Sequence, residues 1–220
     1  MHTVTKTSLL LIGALGLAGC DGASEPFEFA TTFDTFADYD PILTFEDVLI
    51  DEGGEIITTD DIAQPDNFAT AGTGTTSYTG AILTETVPSD DEASRLLVGQ
   101  LQLDVAFSTD TITGYAGNFI YEDDEALNGT LIGNGGFVRD SVESTPGAED
   151  FSPHFTGMNL TGALSGPNGE AYDANIALTG YFLAEGDVPG SAVDSIAGIA
   201  EFDFGATGPD FETGIFAASD

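Results

Sequence analysis

The sequence predicts an all-β fold: an eight-stranded antiparallel up-and-down β-barrel behind a short, mostly irregular N-terminal extension. Three observations carry that prediction. Glycine accounts for 28 of 220 residues, about twice ordinary usage. It lies among Val, Ile, Thr, Tyr and Phe, as many turns and a tightly curved sheet require. From residue 71 onward, apolar runs recur at hairpin spacing with turn residues between them. The cleanest run places Leu97, Gly99, Leu101, Leu103, Val105 and Phe107 on one face, and Val98, Gln100, Gln102, Asp104 and Ala106 on the other. That period of two marks a half-buried strand. Eight such strands close into a barrel whose interior is just filled by side chains or holds one small ligand. Closure also removes the sheet edges that glycine-rich strands would leave exposed.

The first strand is centred on Tyr78, Gly80, Ile82 and Thr84, which alternate with Thr79, Ala81, Leu83 and Glu85. The acidic loop Val87–Ser94 leads into the second strand. Ser108-Thr109-Asp110 turns that strand into Thr111–Tyr121, on which Tyr115, Gly117, Phe119 and Tyr121 are expected to share a face. Glu122–Glu125 ends it in solvent. Further strands are expected at Leu127–Val138, Phe155–Ser165, Ala171–Ala184, Val193–Phe202 and Glu212–Ala217. Pro167-Asn168-Gly169 is a strong turn signal between two of them. The longest break, Asp140–Pro153, is acidic, and a site is expected first in the loop Asp140–His154. Asp104, Glu201 and Asp203 interrupt the strand faces, which argues against a lipid-facing barrel with its continuous apolar band.

Residues 1–19 have the order of a secretory signal: one lysine, a short apolar run, then small residues. The run is too short to span a bilayer as a helix. Leu17-Ala18-Gly19-Cys20 resembles the bacterial lipobox, in which the cysteine becomes the new amino terminus and carries lipid, palmitate among the chains. Cys20 is the only cysteine, so no disulfide is expected. The division expected is 1–19 signal peptide, 20–70 tether with a small handle-like segment, and 71–220 barrel. Within the second part, Phe27, Phe29, Phe33, Phe36 and Tyr39 suggest a short helix. Such a cluster is expected to cover one end of the barrel or to serve as a partner-binding arm. Ile42–Phe45 and Ile56–Thr59 resemble a small hairpin.

The chain has 38 carboxylates against three Lys and Arg, a formal charge of −35. Without residues 1–19, Arg95, Arg139 and His154 are the basic side chains that remain, and there is no lysine. Phosphate neutralisation needs clusters of Lys and Arg, so nucleic acid is excluded as a partner. Schiff-base chemistry needs a lysine. Attraction to anionic lipid needs a basic patch. The acidity suits a solvated surface in a salty medium; the alternative is an acidic face aimed at a cationic partner.

Ala71-Gly72-Thr73-Gly74-Thr75-Thr76-Ser77-Tyr78-Thr79-Gly80 resembles the entry to the barrel domain of the transferrin-binding protein B-like lipoproteins. Leu101–Phe107 followed by Thr111-Ile112-Thr113-Gly114 is similar to that family's second and third strands, and Gly214-Ile215-Phe216-Ala217-Ala218 to its closing strand. The resemblance covers about residues 68–218. It implies a lipid-anchored, non-catalytic binding protein at the cell envelope, in iron or haem acquisition. Small single-barrel members such as hemophilin and factor H binding protein set the size expected. The two-lobed members are much longer than this chain, so transferrin itself is not implied. The resemblance also implies a surface lipoprotein assembly modulator, a TonB-dependent receptor or a host or environmental protein as partners. The location expected is the outer membrane or cell surface of a Gram-negative bacterium. Asp21 after the lipidated cysteine leaves the periplasmic face of the inner membrane open. The alternative function is a structural or adhesive surface lipoprotein without a small ligand.

Catalytic chemistry is poorly supplied, and no enzyme is expected. There is no G-x-S-x-G elbow, and any triad would have to use His154. No metal site is expected either: zinc would have one histidine and carboxylates. Asp90-Asp91-Glu92 and Glu122–Glu125 supply the several oxygens that loose calcium binding takes, but neither matches the EF-hand spacing, and solvated loop tips are the simpler expectation. No cofactor is required. For haem, which takes an axial His, Met or Tyr, His154 is the best candidate. Met158 follows four residues on, on the same face of a regular strand. Arg95 and Arg139 are expected to pair with nearby carboxylates.

Overall fold

The computed structural model describes residues 29, 33–39, 74–88, 93–139, 154–184, 193–206 and 208–220. Cys20, the Ile42–Phe45 and Ile56–Thr59 hairpin and the Asp140–Pro153 loop lie outside them. Eight strands follow one another: β1 (Thr75–Glu85), β2 (Leu96–Ala106), β3 (Thr111–Tyr121), β4 (Ala126–Arg139), β5 (His154–Ser165), β6 (Ala171–Ala184), β7 (Val193–Asp203) and β8 (Gly214–Ser219). Each pairs antiparallel with the next, and β8 returns to β1 to close the barrel. The seam is tight at Gly80, where an added Cβ would stand 1.9 Å from the Ala217 carbonyl oxygen.

Alternation builds the wall. Tyr78, Ile82, Leu101, Leu103, Ile176 and Phe216 point inward and are buried in one continuous apolar core. Interior space is therefore taken by side chains, as expected for eight strands. Tyr78 closes the end where β1 begins. Its hydroxyl donates to the Val193 carbonyl at 3.1 Å. Burial, with Asp220 and Asp194 nearby, pushes its pKa well above the ordinary tyrosine range. Asp173, Glu201 and Asp203 are exposed on the wall. The apolar interior contrasts with the polar interior of lipid-spanning barrels.

Register shifts in β3, β4, β5 and β7 break the simple alternation, and two of them bear on the faces read from the sequence. Val98 pairs with Ile120, yet Gln100 pairs with Gly117, so β3 carries one extra residue. Asn118, at φ 50°, takes up the excess. Asparagine tolerates that left-handed backbone better than most residues. The bulge corrects the sequence-based face: Phe119 and Tyr121 are inward, whereas Tyr115 and Gly117 fall on the outward side. A second bulge sits in β5, where Phe155 pairs with Gly180 but Met158 pairs with Leu178.

Among the described N-terminal aromatics, the short helix expected is a 3-10 one. Phe36–Tyr39 is a single 3-10 turn. Asp38 steadies it by accepting from the Asp34 and Thr35 amides at 3.0 and 2.9 Å; these backbone bonds lower its pKa. This strap lies against the outer wall rather than over an end. Phe33, Phe36 and Tyr39 pack on Ala81, Leu83, Val98 and Ile120, all outward residues of β1–β3. Tyr39 is fully buried. Its hydroxyl donates to the Asn118 carbonyl, and the Asn118 amide donates to Gln100 Oε1. The bulge thus supplies the acceptor that seats the strap.

Candidate functional site

Up-and-down order sends the connections after β1, β3, β5 and β7 to one end of the barrel. There they surround a cleft of about 600 Å³. Its walls come from Thr86–Pro88, Arg95, Tyr121 and Glu125, Pro167, Asn168, Glu170 and Tyr172, and Gly208–Asp210. Backbone bonds hold the loops in place: Thr86 N–H to Arg95 O at 2.9 Å, Val87 N–H to Asp210 O at 2.9 Å, and Glu212 N–H to Glu85 O at 2.8 Å. The Pro167-Asn168-Gly169 turn forms as its sequence demands, with Gly169 at φ 86° and its amide on the Gly166 carbonyl at 3.0 Å. Below the cleft an aromatic group closes the core. Tyr172 and Phe204 stand 6.2 Å apart, and Phe204 meets Phe211 edge-on at 4.8 Å.

Arg95 is the cation of this cleft. It pairs with Asp123, and with Glu125 at 2.7 Å, and its guanidinium lies 4.1 Å from the Tyr121 ring centroid. Burial works against its charge, but the two carboxylates outweigh burial and raise its pKa. The same contact, against slight burial, lowers the Asp123 pKa. Burial pushes the Tyr121 hydroxyl up to about 12 despite Arg95. Tyr172 is raised by burial and by Glu170. The expected pairing of Arg95 with nearby carboxylates is therefore observed. Three of the Glu122–Glu125 carboxylates that suggested a loose cation site have other partners: Asp123 and Glu125 hold Arg95, and Asp124 accepts the Phe36 amide at 2.9 Å. Chemically, the cleft offers ring faces, carboxylate acceptors, the Asn168 amide and one guanidinium already engaged.

Met158 is buried in the core and fills space above three glycines; a Cβ on Gly114 or Gly133 would stand 2.8 or 2.5 Å from its Cε. The strand position of His154 lies opposite the exposed Tyr181, whereas Met158 lies opposite the buried Leu178. The extra residue in β5 between Phe155 and Met158 breaks the regular alternation on which the same-face expectation rested. Arg139 and His154, the ends flanking the Asp140–Pro153 loop, sit at the barrel end remote from the cleft. Sequence reasoning missed the cleft because four separate hairpin connections build it. It also missed the strap's seat, whose signal was present: Ala81, Leu83 and Val98 are apolar on the outward face of their strands. No family model matches the chain, and no curated protein or solved structure matches it.

Proposed function

We propose that this chain is a lipid-anchored, non-catalytic binding protein of the bacterial cell envelope, of the transferrin-binding protein B-like type, attached through Cys20. Recognition falls to the loops around the cleft. The observation that carries this reading is a filled barrel interior beneath a cleft built by all four connections of one end. An eight-stranded up-and-down barrel behind a lipobox supports the kinship. A polyanionic partner is disfavoured, because Arg95 already serves Asp123 and Glu125. The iron and haem side of the reading draws on the resemblance and on His154. The second reading, a structural or adhesive surface lipoprotein, is favoured by the apolar side chains that pack together inside the barrel.

A photo-crosslinking residue at Val87, which lines the cleft and is 42% exposed, tests this against one at Ile199 on the outer wall, 38% exposed. On intact cells, a defined adduct from position 87 alone supports cleft recognition. Equal adducts from both positions, or none, favour the structural reading. Haem titration gives a Soret band lost in His154→Ala if haem is the ligand. No band at micromolar haem ends that version.

A further inference from the structure

The strap and the cleft share one turn. Residues 122–125 join β3 to β4, and their carboxylates divide between two sides of the wall. Asp123 and Glu125 hold Arg95 in the cleft, while Asp124 accepts the Phe36 amide of the strap at 2.9 Å. The turn itself is short and closed, with the Asp124 amide on the Tyr121 carbonyl at 2.9 Å and the Tyr121 amide on the Glu125 carbonyl at 2.9 Å. Asp124 sits at φ 64°, a backbone shape that fixes where its neighbours point. One residue further back, Tyr121 carries the Arg95 guanidinium on its ring face. The Tyr39 hydroxyl rests on the Asn118 carbonyl of the same strand. Strap, turn and cleft cation are thus joined by direct contacts with no gap between them.

We infer that the N-terminal strap regulates the cleft by clamping this turn. With the strap seated, Asp123 and Glu125 are held where Arg95 meets them. A ligand that draws Arg95 off the turn loosens the strap. Lifting the strap, as tension on the N-terminal tether does, frees Arg95. Linkage makes the two effects equal in free energy. Arg95 and its partners are partly exposed, and exposed pairs couple weakly, so the expected effect is about two- to fivefold. The functional consequence rests on the cleft being the recognition site; the coupling itself does not.

Amide hydrogen exchange on the full mature chain, without any ligand, tests it. Arg95→Met keeps an apolar stem over Tyr121 and removes the ion pairs, and Arg95 itself touches no described strap residue. The Phe36 and Asp38 amides are expected to exchange about two- to fivefold faster in this variant, with the Leu101 and Leu131 amides of the core unchanged. Asp124→Gly keeps the positive φ but removes the acceptor, and in that background Arg95→Met should no longer affect the strap. Asp124→Asn, which keeps an acceptor, should restore the effect. Strap exchange equal to wild type in Arg95→Met overturns the proposal. So does acceleration of core and strap amides by the same factor, or an effect that persists in Asp124→Gly. If Arg95→Met fails to fold, Arg95→Gln, which also removes the charge, is read by the same criteria. Because no ligand is used, a cleft that proves empty leaves this result standing, and a missing coupling leaves cleft recognition untouched.

Discussion

Closure of the barrel depends on a residue with no side chain. Gly80 faces the β8 backbone, and an alanine Cβ there would stand 1.9 Å from the Ala217 oxygen and 2.5 Å from the Ala218 Cα. Ordinary contact begins near 3.4 Å, so the strands must part by roughly 1.5 Å at the seam. Both obstructing atoms are backbone, and neither can rotate away. The seam has only five register pairs, Thr79 to Leu83 against Ser219 to Ile215, so a local separation reaches most of it. Overpacking costs about 1–3 kcal/mol in general, and a backbone obstruction belongs at the upper end, about 3 kcal/mol. For a chain of this size that lowers Tm by about 6–12 °C. Gly74→Ala is the control, because nothing lies within 4 Å of its added Cβ; its expected cost is under about 0.5 kcal/mol. Thermal unfolding followed by circular dichroism near the β-sheet minimum reads both. A Gly80→Ala protein that melts with wild type refutes the closed β1–β8 seam.

Alkaline pH should weaken the fold through its buried tyrosines. Tyr39, Tyr78 and Tyr121 all have raised folded pKa values, mainly from burial, with Tyr121 at about 12. Their neutral forms stabilise the fold fully below the unfolded value of about 10, and that contribution is lost as pH climbs through the folded values. Melts between pH 8 and 12 should show Tm falling above pH 10, and falling less steeply in Tyr78→Phe; a flat profile contradicts the burial. Salt should stabilise, since 38 carboxylates face three Lys and Arg and self-repulsion is screened within about 3 Å at 1 M. Tm is expected to rise steadily from dilute buffer to that concentration; an unchanged Tm means the surface charges are already compensated. Cys20→Ser should shift the exported protein from the detergent to the aqueous phase in Triton X-114 partitioning, and an unchanged partition removes the lipid anchor from the proposal.

Strand positions were legible because alternation and turn residues report local physics. β3 and β6 run from Thr111 to Tyr121 and from Ala171 to Ala184, the limits that the apolar runs and their turns mark in the sequence. Faces were legible only where a strand is regular. Tyr115 and Tyr121 look equivalent at spacing six, but the extra residue at Asn118 puts them on opposite sides of the wall. A bulge leaves little trace in composition: one asparagine at positive φ decides it, and asparagine is common in ordinary turns. The cleft fails differently. Arg95, Tyr121, Glu170 and Asp210 belong to four separate hairpin connections, and only closure brings them together. Arg95 alone was legible, being one of two arginines among many acids.

The extension changes most when sequence and structure are set together. A tether should be polar and indifferent to the barrel. Here β1–β3 present an apolar outward face at Ala81, Leu83, Val98 and Ile120, and the strap makes that wall part of a core by burying it. Gln100, a polar residue on the same face, is buried as well, at 7% exposure, which is tolerable because Asn118 donates to it. Removing the strap would therefore leave both an apolar patch and a polar side chain facing water, so the strap belongs to the fold rather than to the leash. That shortens the leash. On the proposed lipid anchor, only the residues between Cys20 and Phe29 separate lipid from a segment already against the wall, since the Phe29 ring approaches Gly117. Nine extended residues span about 30 Å. The strap side of the barrel, with the β3–β4 turn and the cleft beside it, is then confined to about that distance from the bilayer. A partner that engages the cleft must meet it there, against the membrane or on another protein embedded in it.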